Sequence, residues 1–455
     1  MISKNKINNF FKNGVATAIQ KIIKVAEQLV LVPFFISSWG TEYYGEWLTL
    51  TIIPNIFSLT DLGFGTAASN YFVLNFLKGD KKKAADISKS AFILITIILI
   101  IGISLSLLVV LILKKYSFLS VSIINENQAL ASVWILIVSR LISFYTQMFE
   151  AYYRAARKAA LSINLFTIQS FMIIILNAIV LYLNMNIVYL ALFNLVGTLM
   201  FVITYGVIAK RLINFKHQKI YGTINKNEIK VIGKQGFGYL LSPIWQAIFF
   251  QGSTLVVRIT LGPESVTIFN TVRSLTRSVN QIINMIDTIV FPELQYEIGR
   301  GDLKKASNIY VNSVIITTII ALAGICFLLI FGIDIYKLWT GNSIKIDKYV
   351  WSVIVIGILF NALWWIGGVV FRAYNKPYMY TIAGVICSII SIILSYLLAQ
   401  HIGLLGIAVG TLSLEVLMSI YVLPKSLNLL RITYTVFIDR IWNFLKMDKV
   451  ITTKI

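Results

Sequence analysis

The chain has 455 residues, 58% of them hydrophobic and 13% charged, with a mean hydropathy of +0.81. A soluble protein of this length cannot bury so much apolar surface, so the composition excludes the soluble classes and indicates a membrane protein. The charge is strongly basic, with 40 Lys and Arg against 19 Asp and Glu. In a membrane protein this excess favours basic loops beside anionic lipid at the cytoplasmic face, and we expect no nucleic acid partner.

Twelve segments are apolar enough to be transmembrane helices, each of which needs about 20 residues. In chain order they are 14–37, 47–72, 90–113, 130–151, 161–183, 187–209, 234–260, 265–291, 309–332, 349–371, 378–399 and 403–423. The first, second, seventh and eighth are unusually polar for membrane spans.

The distribution of basic residues predicts the orientation of these spans. Because the number of spans is even, both termini lie on one side of the membrane. That side carries 29 Lys and Arg in its loops and termini, and the opposite side carries five. The positive-inside rule therefore predicts that both termini are cytoplasmic.

The chain contains an internal repeat. "GDKKKAADIS" at 79–88 returns as "GDLKKASNIY" at 301–310, which is 222 residues later. Three further pairs follow the same order, namely "GTE" at 40–42 with "GPE" at 262–264, "YRAARK" at 153–158 with "FRAYNK" at 371–376, and "GTL" at 197–199 with "GTL" at 410–412. We infer two copies of a six-helix unit in the same orientation.

The repeat predicts four regions of the chain. Residues 1–209 form the N-terminal six-helix lobe, and 210–233 form a basic cytoplasmic linker. Residues 234–423 form the C-terminal six-helix lobe, and 424–455 form a basic amphipathic tail. Within the tail, 426–447 predict a helix on the inner membrane surface, with a thirteenth span as the alternative.

Polar residues in the four polar spans predict a substrate cavity. In the first and eighth spans they recur every three or four residues, which places them on one helix face that cannot face lipid. Transporters built from two such repeats bind substrate near the membrane midplane, in the cleft between the halves. The candidate substrate-binding residues are Lys21, Lys24, Gln28, Asn55, Gln246, Asn270, Arg273, Arg277 and Gln281.

Three of these residues are cations near the middle of their spans: Lys24, Arg273 and Arg277. A charge at that depth costs about 2.5–3.5 kcal/mol on the insertion scale. The cost implies a water-filled cavity, a functional requirement or structural ion pairs with nearby acids.

Four acidic residues in the spans are candidates for proton or Na⁺ coupling. Structural pairing is the default reading for Glu27, Asp61 and Asp287, which could neutralise the central cations. Glu415 lies mid-span in the twelfth helix without an obvious partner, and it is either an ion site or hydrogen-bonded to a neighbour.

Nothing in the sequence is typical of an enzyme. There is no G-x-x-x-x-G-K phosphate loop and no D-x-D pair, and the outer loops are too short to form an active site. We expect no catalytic residues, no metal site and no cofactor.

The repeated loops, the "DLG" at 61–63 and the "RAxxK" after the fourth and tenth spans resemble a known family. They are similar to the polysaccharide exporters of the multidrug/oligosaccharidyl-lipid/polysaccharide (MOP) superfamily, and the closest type is the Wzx O-antigen flippase. The resemblance implies an all-α integral membrane protein with a V-shaped pair of lobes around a central cavity. It also implies residence in the bacterial cytoplasmic (inner) membrane.

The resemblance further implies the substrate, undecaprenyl pyrophosphate carrying a short glycan for O-antigen or a similar surface polysaccharide. Flipping by alternating access would then move it from the inner to the outer leaflet. Cationic cavity residues would hold the pyrophosphate by charge-assisted hydrogen bonds. Further partners would be anionic lipids at the cytoplasmic face and the polymerase and chain-length regulator of the same pathway. The related lipid II flippases place a cationic residue on the second span, whereas this chain offers Asp61 there.

Three alternatives remain open from the sequence. A multidrug antiporter of the same superfamily would present carboxylates and aromatic rings to a cationic cargo. A membrane-embedded polymerase or ligase would need a large outer loop. A non-transporting component of a polysaccharide assembly complex would differ from a flippase only in transport.

Overall fold

The computed structural model describes residues 4–58, 63–116, 123–215, 220–239, 241–374 and 376–446. Every element among these residues is a helix. In chain order the helices are α1 (Lys4–Leu50), α2 (Ile52–Phe57), α3 (Phe64–Leu77), α4 (Lys81–Lys115), α5 (Glu126–Ser143), α6 (Tyr145–Ala155), α7 (Ala159–Tyr182), α8 (Ile187–Ile213), α9 (Lys226–Tyr239), α10 (Leu241–Leu261), α11 (Pro263–Gly299), α12 (Leu303–Trp339), α13 (Lys348–Ala373), α14 (Pro377–Leu429) and α15 (Tyr434–Lys446).

Nine helical stretches of the described chain are long and apolar enough to cross a membrane. The last of these stretches, in α14, covers both the eleventh and the twelfth predicted spans. It is broken only by the non-helical residues Ile402 and Gly403. The eighth predicted span lies in α11, which is not among the nine apolar stretches. The expectation of an all-α membrane protein is confirmed.

The second predicted span, 47–72, is not one continuous helix. Helix α1 passes through a non-helical residue at Gly40 and ends at Leu50, and the short helix α2 follows. Helix α3 then begins after Gly63, which has a left-handed backbone (φ 70°). Pro54 lies inside α2, where its missing N–H removes a helical hydrogen bond.

The chain divides into two packed units, residues 1–247 and 248–455. In the first unit α1 packs on α7 and α5 packs on α8, while in the second α13 packs on α11, α12 and α14. Buried side chains of α11, α12 and α13 form one hydrophobic cluster in the second unit, with Leu294, Tyr310 and Val370 at its centre. The limits predicted for the lobes, linker and tail stay a prediction.

The repeated "GD" phrase forms the same turn in both units. Gly79 and Gly301 have positive φ values of 89° and 78°, which glycine adopts without steric cost. The N–H of Asp80 bonds the carbonyl of Asn75 five residues back, as the N–H of Asp302 bonds that of Glu297, and each closes a Schellman motif. Each Asp carboxylate then accepts the N–H three residues later and caps the next helix.

The segment predicted as a linker is partly ordered against the first unit. The Tyr221 carbonyl accepts a hydrogen bond from Lys82 (2.6 Å), and the Thr223 hydroxyl donates one to Asp86 (3.0 Å). Helix α9 begins at Lys226, within the predicted linker, and packs on α3 and α4. Residues 220–239 therefore belong structurally to the first unit.

The predicted surface helix of the tail appears as α15. It packs on α12, and Ile432 and Phe437 join the hydrophobic cluster of the second unit. Three of its exposed apolar side chains, Tyr434, Ile438 and Trp442, lie four residues apart and therefore share one face. Contact between this face and lipid stays a prediction.

Candidate functional site

The candidate site lies within the second unit, on helix α11. This helix begins after Gly262, whose φ of 83° and ψ of 179° are open to glycine almost alone. Pro263 follows at the first helical position, where its missing N–H costs nothing. Ten and fourteen residues farther on, Arg273 and Arg277 occupy one face of the helix because they are four residues apart.

Arg273 is held by neutral acceptors on α10 and α11. Its Nη1 donates to the Ser253 hydroxyl (2.8 Å) and the Phe250 carbonyl (3.3 Å). Its Nη2 donates to the Thr254 hydroxyl (3.0 Å) and to Asn270 Oδ1. Burial of a charge is tolerated when its donors are satisfied in this way.

Arg277 is in a different environment from Arg273. Its side chain is exposed, and its guanidinium carbon lies 4.3 Å from the centre of the Phe250 ring. The same ring lies 5.4 Å from the guanidinium carbon of Arg273, so Phe250 contacts both cations. Such cation–π contacts fix a guanidinium in place without using its N–H donors.

Glu415 of α14 faces the same region from the other side. Its Oε2 accepts hydrogen bonds from Asn361 Nδ2 (3.0 Å) and Trp364 Nε1 (2.6 Å) of α13. It also attracts Arg277 electrostatically. Of the two readings left open by the sequence, hydrogen bonding to neighbours is therefore present.

These groups line one cavity of about 90 Å³. A water molecule needs about 10–15 Å³ of such space, so the cavity has room for several waters or a small ionic group. Its lining residues include Phe249, Phe250, Phe269, Arg273, Thr276, Arg277, Asn280, Asn361, Thr411 and Glu415. Two cations and one carboxylate thus share a polar, partly aromatic pocket.

Asp287 does not belong to this cavity. Its carboxylate is only 11% exposed and forms an ion pair with Arg372 at the end of α13. Phe291 lies 5.5 Å from the guanidinium carbon of Arg372. Asp287 therefore forms an ion pair, but its partner is Arg372 and not one of the central cations.

The candidates of the first unit form a looser arrangement. Lys24 is exposed and Lys21 half-buried on α1, and Glu27 of the same helix attracts both Lys24 and Arg140 of α5. Asn55 is half-buried on α2. The side chain of Gln28 and the whole of Asp61 lie outside the described residues.

The remaining candidates lie on α10 and α11. Asn270 contacts Arg273 directly, as described above. Gln246 and Gln281 are half-buried and do not line the cavity. The structure therefore brings together three of the predicted residues, Arg273, Arg277 and Glu415, with Asn270 beside them.

Sequence reasoning missed the α13 side of the cavity. Asn361 and Trp364 lie in a span whose other clearly polar residue is Ser352, so the span shows no polar face with helical periodicity. The isolated Asn361 in the middle of that span was the available signal, because polar groups inside membranes tend to be functional. Phe250 carried no signal, since an aromatic residue in a membrane span is ordinary.

No family model and no curated protein matches the chain. Solved structures do. The chain is similar to the inward-facing conformation of a multidrug resistance MATE family transporter of the MOP superfamily, with 15% identity over 90% of this chain and 94% of that one and a TM-score of 0.75.

It is also similar to the outward-facing conformation of a multidrug resistance MATE family transporter of the same superfamily, with a TM-score of 0.64 and 15% identity over 93% of this chain and 95% of that one. A MOP superfamily transporter from Pyrococcus furiosus, described by the reverse polarity of its binding pocket and a suggested different function, matches with a TM-score of 0.56 and 14% identity over 93% of this chain and 95% of that one. The chain shares the fold of these transporters. Identities this low establish the fold and do not identify the substrate.

Proposed function

We propose that this protein is a transporter of the MOP superfamily that flips an anionic lipid-linked glycan, a polyprenyl pyrophosphate oligosaccharide of the O-antigen type. Alternating access would carry it from the inner to the outer leaflet of a bacterial cytoplasmic membrane. The distribution of basic residues, 29 on one side against five on the other, supports cytoplasmic termini. Assembly with a polymerase and a chain-length regulator is part of the same proposal.

The observation that carries the proposal is that Arg277, an exposed residue, lines the cavity of the second unit. A guanidinium matches the geometry of phosphate oxygens and can bind them through two parallel hydrogen bonds. The one carboxylate of the cavity, Glu415, has its Oε2 held by Asn361 and Trp364. A cavity with this excess of positive charge attracts anions.

The size of the cavity fits only part of such a substrate. About 90 Å³ suits a phosphate group, while the glycan and the lipid tail need other surfaces. Lys21 and Lys24 of α1 are further cations in the first unit and stay candidates for substrate binding from the sequence.

The test is ligand binding to the purified protein in nanodiscs. A short polyprenyl pyrophosphate is compared with tetraphenylphosphonium, an organic cation, by thermal shift and native mass spectrometry. We expect selective stabilisation by the pyrophosphate, weakened about tenfold or more in Arg277→Gln by the loss of a charge-assisted hydrogen bond. Lys115→Ala is the matched control, because it removes an exposed cation at the end of α4 far along the chain from the cavity.

A multidrug antiporter is the second candidate, and it has an observation of its own. Glu415 shares its cavity with the rings of Phe249, Phe250 and Phe269 and bonds the indole of Trp364. Carboxylates beside aromatic rings bind organic cations, and two of the similar structures are multidrug MATE transporters. Selective stabilisation by tetraphenylphosphonium that Glu415→Gln abolishes would establish this function and exclude the flippase.

A further inference from the structure

The two arginines of α11 differ in how many of their N–H donors are free. A guanidinium has five N–H groups, two on each Nη and one on Nε. Each Nη of Arg273 bonds two acceptors, so all four of its Nη hydrogens have partners. An anion could bind this group only after breaking hydrogen bonds that α10 and α11 provide.

Arg277 makes no hydrogen bond with any residue in the described part of the chain. Its guanidinium is exposed to the cavity, and its contacts are the face of the Phe250 ring and the attraction of Glu415. Stacking on a ring leaves the N–H groups at the edge of the guanidinium available for two oxygens of a phosphate group.

We propose that Arg277 alone binds the anionic group of the substrate in this cavity, and that Arg273 is a positioning residue that acts through Phe250. The proposal deepens the flippase function and rests on it. Arg273 bonds the carbonyl of Phe250 and the hydroxyls of Ser253 and Thr254, one helical turn farther along α10. It therefore ties α10 to α11 at the residue whose ring supports Arg277.

Glu415 has a defined part in this arrangement. Asn361 and Trp364 hold its Oε2, so the carboxylate stays in place when Arg277 binds another anion. An entering anion then competes with Glu415 for the same cation. Glu415 should weaken anion binding and exclude ligands with too little charge.

Lysine substitution separates the two roles. Lysine keeps the positive charge but cannot form the planar fork of hydrogen bonds. If Arg277 binds the ligand directly, Arg277→Lys keeps its charge and should bind more tightly than Arg277→Gln, although the planar fork is lost. If Arg273 acts by its fork of hydrogen bonds, Arg273→Lys is as damaging as Arg273→Gln, although the charge remains.

The experiment measures the Kd of farnesyl pyrophosphate for the full chain in nanodiscs. We expect Arg277→Gln to weaken binding about tenfold or more, because it removes a charge-assisted hydrogen bond, and Arg277→Lys to weaken it by a clearly smaller factor, because the charge remains while the fork is lost. Arg273→Lys, Arg273→Gln and Phe250→Leu should each weaken it by a similar intermediate factor. The double variant Phe250→Leu with Arg273→Lys should be no weaker than either single variant, and Glu415→Gln should bind more tightly than wild type.

Folding is controlled by the melting temperature and elution profile of each variant, and Phe250→Leu tests the proposal with Arg273 intact. Normal binding by Arg273→Lys together with equal losses in Arg277→Lys and Arg277→Gln would overturn the assignment of roles while leaving the flippase function in place. Additive losses in the double variant would overturn the route through Phe250. A wild type that binds tetraphenylphosphonium and not farnesyl pyrophosphate would overturn both the flippase and this proposal.

Discussion

The two halves of this molecule agree where the backbone turns and differ where charges lie inside a helix. The turns at Gly79 and Gly301 share the same pair of backbone hydrogen bonds and the same Asp cap. Gly40 and Gly262 share an extended backbone with positive φ. By contrast, α1 presents an exposed Lys24, whereas α11 places its arginines against α10 and a defined cavity.

The two copies of the repeat share the residues that the backbone of the turns requires, and they differ in the contacts of their side chains. A turn that only glycine can form tolerates few changes, so both copies keep it. A polar helix face tolerates many residue types as long as it avoids lipid. The chemistry of the two halves was therefore free to diverge.

The ends of α6 and α13 show the divergence most clearly and give the largest expected effect. Arg154 bonds Ser69 and Asn70 of α3 and pairs only with an exposed carboxylate of its own helix, Glu150 at 3.9 Å, whereas the equivalent Arg372 pairs with the buried carboxylate of Asp287 on α11. Removing one partner of a buried ion pair strands the other charge, at a cost of about 3–5 kcal/mol. Since the Arg372 side chain is 34% exposed, we expect Arg372→Ala to cost less, on the order of 2–3 kcal/mol of unfolding free energy.

Denaturant unfolding in detergent measures this effect. The matched change in the first half is Arg154→Ala, which should cost about 1–2 kcal/mol because its partners on α3 are neutral. Adding Asp287→Asn to Arg372→Ala should recover part of the loss, since no charge is then stranded. Equal losses for the two arginines, with no recovery in the double variant, would contradict the comparison.

Gly40, the non-helical residue inside α1, and Gly262, which precedes α11, should behave alike when substituted. Gly40 (φ 76°, ψ 169°) and Gly262 (φ 83°, ψ 179°) have a backbone that other residues rarely adopt. An added Cβ would have no atom within 4 Å in either place, so the cost comes from the backbone alone. We expect Gly40→Ala and Gly262→Ala each to lower the unfolding free energy by about 1–3 kcal/mol.

Gly299 is the matched control for these two variants. It also has open space around a would-be Cβ, but it lies in α11 without a positive φ. Gly299→Ala should therefore stabilise the protein by about 0.5–1 kcal/mol through helix propensity. A neutral result at Gly262 beside a loss at Gly40 would show that the two turns are not equivalent.

Much of this fold could be predicted from the sequence because its strongest signals are local. Apolar length identified the helices, and the "GD" loops identified the repeat, since the same residues form the same turn in both halves. The interruption of the second predicted span, 47–72, could not be predicted. The hydropathy of that stretch does not show that α1 ends at Leu50 or that α3 begins only at Phe64. Such breaks depend on single glycines and prolines.

Only the α11 part of the candidate site and Glu415 could be predicted from the sequence. The spacing of Arg273 and Arg277 on α11 indicated a shared face, and the structure places both in one cavity with Glu415. Their different roles follow from Ser253, Thr254 and Phe250 of a neighbouring helix. No periodicity within α11 carries that information, because it arises from packing between helices. The same holds for the pairing of Asp287 with Arg372.

The smallest expected effect concerns the repeated Asp caps. The backbone N–H of Lys305 bonds the Asp302 carboxylate and, with the nearby Lys305 and Arg300 charges, keeps the pKa of Asp302 below its usual range. A carboxyl whose pKa is lowered by folding stabilises the protein above its unfolded pKa, and this stability is lost as the pH falls through the folded pKa. We therefore expect Asp302→Ala to lower the melting temperature slightly at pH 7, and the difference from wild type to shrink as the pH falls below about 4.

Melting curves at neutral and acid pH check this, with Asp302→Asn as the control. Asparagine also caps helices but cannot titrate, so this variant should keep most of the stability of wild type without its dependence on pH. Asp80→Ala should match Asp302→Ala at pH 7, because Asp80 accepts the N–H of Lys83 in the same way. Clearly unequal losses would mean that the repeated turns share their geometry without sharing its contribution to stability.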